Sequence, residues 1–168
     1  MSTETSTPNA TNLQPRFGQG HSMRLAGLTG HYADQEIDRI PEQWHRLVAR
    51  GEVAGRIGRI EYAYVGMTPT GADYLSGYEV EAGASLPDGF VDVRVPAYRY
   101  AVFAHEGHVS QMRHTFAAIF SQWLPTAGIT LAHGVDGYPF CLEVYTEAFN
   151  PRTGTGGIEI WLPVEHAA

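Results

Sequence analysis

Apolar and polar positions change their spacing along the chain, and each change marks a predicted element. Residues 1 to about 20 are rich in Ser, Thr, Asn, Pro and Gln and carry no apolar period, so 1–20 is expected to be a disordered tail outside the fold. Residues 23–31 (MRLAGLTGH) predict a short strand that two glycines weaken. In DQEIDRIPEQWHRLVARGEV, Ile37, Ile40, Trp44, Leu47 and Val48 fall at helical spacing, which predicts a helix near 34–51. Asp34 is its expected N-cap and Gly51 its stop. Pro41 leaves either an irregular start or a regular helix beginning at the proline. The period then drops to two. Residues 60–66 (IEYAYVG) and 74–81 (YLSGYEVE) alternate, with MTPTGAD as a hairpin connection. ASLPDG is a turn, and FVDVRVPAYRYAVFAHEG is an extended segment broken near Pro96. A second helix is predicted at 109–124, within 108–125. Its stripe is Met112, Phe116, Ile119, Phe120 and Trp123, and it should end at Pro125. FCLEVYTEAF (140–149) and GIEIWLPV (157–164) complete the set of strands, joined by the turn-rich NPRTGTG.

The order strand, helix, strand, strand therefore occurs twice. Ile40, Trp44 and Leu47 match Phe116, Phe120 and Trp123 at one constant offset. A single such unit leaves a helix face and a sheet face bare, so two should pack around a joint core. The predicted class is α+β: a tandem βαββ repeat with antiparallel sheets and two main helices. One domain covers 21–168, with halves of about 21–90 and 91–166.

Composition narrows the partners. Among 168 residues, 18 are acidic and 11 basic, giving a net charge of -7. All the basic residues are arginine. Duplex recognition needs a clustered basic surface, so no direct nucleic-acid binding is expected. No apolar run approaches the ~18 residues of a membrane span, and the N-terminus lacks the basic and apolar regions of a secretion signal. A cytoplasmic location is the expectation. The single cysteine, Cys141, sits in an apolar run and predicts a buried, inert thiol.

The phrases PAYRYAVFAHEGHVSQMRHTFAAIFSQWLP, CLEVYTEAFNP and IEIWLPV resemble the GyrI-like small-molecule-binding domain, the effector-binding module of AraC-type and MerR-type multidrug-responsive regulators. IPEQWHRLVARG, YAYVGMTP, YLSGYEVE and PDGF carry the resemblance through the first half, so it spans about 23–164. It implies two βαββ halves that form a cleft for amphipathic, often cationic, ligands. About 20 residues precede the first predicted strand, which points to a stand-alone form of the module.

Within CLEVYTEAF, alternation puts Glu143 and Tyr145 on one face; within GIEIWLPV it puts Glu159 and Trp161 together. If the two strands pair as a hairpin, one face offers two carboxylates beside a Tyr and a Trp, a host for a lipophilic cation. The alternative is a solvated face. The resemblance favours the first, because LEVY and EIWLP align with strands that carry ligand-contacting residues in multidrug-sensing members. Glu143 ranks first, followed by Trp161 and Glu159. The first half offers Trp44, Tyr62, Tyr64, Tyr74 and Tyr78, of which Trp44, Tyr64 and Tyr78 are candidate pocket walls, as are Phe116 and Phe120 of the second helix. Each of these has a plain core role as its alternative.

His105, Glu106, His108 and His114 invite a metal reading, but HEGH is one residue short of the HExxH signature and Gly107 interrupts the segment. A surface turn is expected there, with no metal and no cofactor. No nucleophile elbow or phosphate loop occurs either. The leading expectation is therefore a binder of hydrophobic, cationic small molecules, acting by sequestration or sensing, as a homodimer or with a separate regulator. The first alternative is a GyrI-like hydrolase of strained electrophiles using Glu143 and Tyr145. The second is a gyrase-inhibitor-like protein.

Overall fold

The computed structural model describes residues 13–132 and 137–165. Its strands are β1 (Arg16–Gly20), β2 (Met23–Tyr32), β3 (Glu61–Thr68), β4 (Gly71–Val80), β5 (Val91–Val95), β6 (Tyr98–His105), β7 (Cys141–Tyr145) and β8 (Ile158–Pro163). They form one antiparallel sheet in the order β1-β6-β8-β7-β3-β4-β2-β5. The two expected halves are present, as β3-β4-β2 and β7-β8-β6, joined where β3 pairs with β7.

The outer strands cross over. β1 leads into β2 yet pairs with β6 of the other half, while β5 leads into β6 yet pairs with β2. Each connection is two residues long, a reach of only about 10 Å. The two ends of the sheet must therefore approach one another, and the sheet curls into a half-barrel. β1 corrects the expectation of a tail through residue 20: Arg16–Gly20 is an edge strand on β6. RFGQG shows no apolar alternation; backbone pairing with β6 recruits it, helped by Arg99 lying over the Phe17 ring and by a bond from Arg16 to Glu159. Residues 1–12 of that expected tail lie outside the described residues.

The helices begin and end less regularly than their stripes imply. Asp34–Arg39 is a 3-10 turn with Ala33, not Asp34, at its cap, and α1 (Ile40–Ala49) starts beside Pro41. The proline's missing N–H costs nothing there. The second helix opens with a 3-10 turn, Val109–Gln111, and continues as α2 (Met112–Ala118), a π turn (Ile119–Trp123) and α3 (Leu124–Ala127). Pro125 does not end it. The π turn adjusts the backbone just before the proline, and Gly128 stops the helix in the left-handed region at φ 66°. By burial, Leu47 corresponds to Ile119 rather than to Trp123, one turn away from the sequence alignment.

Both helices lie on one face of the sheet. That helix side holds a core built on Ala63, Val65, Tyr74, Phe103, Ile119, Tyr145, Ile158 and Ile160, continued under α1 by Leu47, Tyr78 and Val80. The opposite face, inside the curl, packs Leu25, Tyr62, Leu75, Tyr100, Leu142 and Val144. Among the described residues no helix is long and apolar enough to cross a membrane.

Candidate ligand-binding site

The strand register decides which side chains meet. Residues directly opposite in a pair of strands project to the same face. Glu143 stands opposite Ala63 of β3 and Ile160 of β8, so it belongs to the helix side. It sits on the two central strands, in the strip between α1 and α2. Ala63 contributes little volume beside it.

Around Glu143 the donors are aromatic. The hydroxyls of Tyr74 and Tyr145 both donate to Glu143 Oε1, each at 2.8 Å. The Trp44 indole N–H donates to the Tyr74 hydroxyl at 2.9 Å. Trp44 also presents its ring edge-on to Tyr145 at 5.3 Å. Gln43 on the next helix position anchors this arrangement. It is fully buried: its Nε2, with two N–H groups, lies within bonding distance of the carbonyls of Leu28 and Tyr74 and of Ser76 Oγ, and its Oε1 accepts from the Tyr32 hydroxyl at 2.6 Å. These bonds hold the start of α1 to β2 and β4 and so fix Trp44 over the site.

Glu143 keeps part of its residue surface open, yet its carboxyl is surrounded closely enough that burial raises its pKa above the ordinary value of 4.5. The two phenols act in the opposite sense, by bonding to the ionised form. Burial, together with the Glu143 charge, pushes both tyrosines well above theirs. Among the described residues no arginine or histidine forms an ion pair with Glu143. A carboxylate with neutral donors only and aromatic rings on its flanks suits a desolvated cation.

The other candidates divide by face. Phe116 and Phe120, partly buried, pack against the same helix-side core, and Phe120 stacks on Phe140 at 5.6 Å. Glu159 and Trp161 do not join Glu143. Leu142 pairs with Trp161 and Val144 with Glu159, which sends both to the inner face. There Arg16 donates to Glu159 at 2.7 Å and the Trp161 indole donates to it at 3.1 Å. Tyr64 also packs on the inner face. Tyr78 shares the helix side but lies further along β4, buried under α1 with Leu47. Tyr74, one of five aromatic residues noted in the first half, is the one that reaches Glu143. Phe149, edge-on to Tyr145 at 5.1 Å, carries no signal in the sequence beyond its aromaticity.

Cys141 is buried at 1 %, and burial raises its pKa well above the usual thiol value, which fits an inert thiol. The histidine-rich turn serves the fold: buried His105 bonds Thr115 Oγ1 at 2.6 Å and the His108 carbonyl at 2.8 Å, while His108 caps Ser110. Only Glu106–His108 is an exposed turn; His105 is not at the surface.

Comparisons with known proteins agree with this architecture. The transcriptional regulator BrlR of Pseudomonas aeruginosa is 29% identical over 157 residues, 91% of this chain and 56% of the regulator, so the chain spans little more than half of that relative. The structure of SAV2435 bound to tetraphenylphosphonium superposes with a TM-score of 0.64 at 18% identity, covering 90% of this chain and 94% of that one. The EcmrR C-terminal domain superposes with a TM-score of 0.65 at 13% identity, covering 92% and 98%. At such identities the likeness to the two structures is one of fold. The GyrI-like resemblance and the α+β class both hold, and since residues 20–164 match the integron-associated effector binding protein family, Cass2, the chain belongs to that family.

Proposed function

We propose that this domain binds hydrophobic small-molecule cations in the strip between α1 and α2, with Glu143 as counter-ion. One observation carries the reading: the Glu143 carboxyl is buried, bonded by two phenols and, among the described residues, paired with no basic side chain. Burying an uncompensated charge is costly, and a ligand cation offsets that cost while ring faces attract it. The tetraphenylphosphonium bound to the structural relative SAV2435 supports the same ligand class here. Such a domain works by capture, as a sequestering protein or as the sensing part of a regulator. Calorimetric titration with tetraphenylphosphonium and with neutral triphenylphosphine oxide tests the reading. Preference for the cation that disappears in Glu143→Gln is expected; equal affinities, unchanged in the variant, would overturn it.

A hydrolytic reading draws on the same carboxyl, since a raised pKa equips Glu143 for general acid–base work. Its phenol bonds argue for binding instead, because they stabilise the ionised form and lower its basicity. Incubation with a cyclopropane-bearing electrophile separates the two. Intact ligand by mass leaves a binder, whereas repeated turnover that Glu143→Gln abolishes makes an enzyme.

A further inference from the structure

The register that removes Glu159 from the site brings another carboxylate to it. Glu61 of β3 stands opposite Tyr145, and Ala63 opposite Glu143. Glu61 is therefore the diagonal neighbour of Glu143 on the helix side, about 7–8 Å away across the two strands. The two carboxyls have different surroundings. Glu143 meets Tyr74 and Tyr145, whereas Glu61 interacts electrostatically with Arg56 and Tyr78. Tyr78 follows Gly77, the partner of Tyr62, so it continues the row Tyr145, Glu61 across the sheet.

A cation already occupies this end of the strip. The Arg56 guanidinium lies 3.8 Å over the Tyr78 ring. Its Nε is buried with no hydrogen-bond partner, and among the described residues no hydrogen bond or ion pair joins it to Glu61. The guanidinium is thus held by a ring face and a nearby charge rather than by a fork of hydrogen bonds. Those are the terms on which a ligand cation would be held. The backbone of Arg56 is fastened to β4 by its bridge to Val80 and by the bond from Ile57 N–H to the Glu79 carbonyl. The side chain can leave without unfolding the loop.

We propose that Glu61 and the Tyr78 ring form a second cation subsite, occupied by the chain's own Arg56, so that the domain prefers dications whose two heads reach from Glu143 to Glu61 and displace that arginine. The proposal rests on Glu143 being a cation counter-ion and adds to it the ligand's length and second charge. Burial raises the Glu61 pKa, and the nearby Arg56 charge offsets part of that rise by favouring the ionised form.

The test titrates 1,4-bis(trimethylammoniomethyl)benzene against the monocation benzyltrimethylammonium, with tetraphenylphosphonium as the reference for Glu143. The protein is taken as wild type, Glu61→Gln, Arg56→Gln and Glu143→Gln, each confirmed folded by its melting curve. The dication should bind roughly 3- to 30-fold more tightly than the monocation, the worth of one cation–aromatic contact. Glu61→Gln should erase that preference with little change for the monocation. Arg56→Gln should strengthen dication binding by removing the competitor. A preference indifferent to both variants, with tetraphenylphosphonium still dependent on Glu143, overturns the second subsite alone. Loss of the Glu143 dependence overturns both readings.

Discussion

Glu143 on β7 and Glu159 on β8 each stand two residues before an aromatic ring, on strands that hydrogen-bond to each other. On the helix side, Glu143 collects two tyrosine hydroxyls and, among the described residues, no basic group. On the inner face, Glu159 takes the Arg16 guanidinium at 2.7 Å together with the Trp161 indole. Arg16 comes from the edge strand at the far end of the chain, so the neutralising partner is a tertiary contact. A carboxylate already held in a direct, hydrogen-bonded ion pair has little left for a ligand. One buried among neutral donors keeps its charge uncompensated, and that difference is what makes one of two similar residues a candidate counter-ion.

The largest test of this contrast exchanges charge for amide at both positions. Glu143→Gln should weaken tetraphenylphosphonium by about 2–5 kcal/mol, the cost of losing a desolvated charge partner. Glu159→Gln should leave the titration unchanged. A comparable loss from both would remove the distinction. Trp161→Ala, for the same reason, should not weaken the ligand through lost contact.

The hydrogen-bonding partners differ next. Tyr74→Phe removes a donor from Glu143 and the acceptor of the Trp44 indole. Leaving such buried groups unsatisfied costs about 1–3 kcal/mol, which denaturant unfolding would show. Trp161→Phe removes one donor from a carboxylate that retains Arg16, and should cost less.

The pH dependence has a definite sign. Burial raises the folded pKa of Glu143 above 4.5, so the folded state holds this proton at pH values where the unfolded chain has lost it. The group's stabilising contribution is full below about 4.5 and is lost as pH rises through its raised folded value. Glu61 acts in the same sense. Cation binding runs the other way and strengthens as Glu143 ionises, by at most about 1.4 kcal/mol per pH unit. Glu143→Gln should flatten both trends, read by melting temperature and by titration across that range.

The smallest effect belongs to Arg16. Its side chain is 60% exposed, so screening discounts the ion pair and Arg16→Ala should cost no more than about 1 kcal/mol. Cation affinity should not change.

The chain's own pattern determined a good deal. The segments that read as strands or extended chain became β2 to β8, and the two apolar stripes became α1 and the composite second helix. Alternation also set which side chains share a face within one strand: Glu143 with Tyr145, Glu159 with Trp161. These properties depend on neighbours in sequence, so they are local and legible. β1 was not legible, because an edge strand paired through its backbone needs no apolar alternation. Nor was the make-up of the site, because the sequence does not say how the faces of different strands align. That alignment is register, and a slip of one residue sends every side chain to the other face. Between β3 and β4 a two-residue turn fixes it locally. Between β7 and β8 the connection is long, and β3 meets β7 from the other half of the chain. Only packing of the complete sheet under its two helices could place Glu143 beside Tyr74 and Glu61 and turn Glu159 away to Arg16.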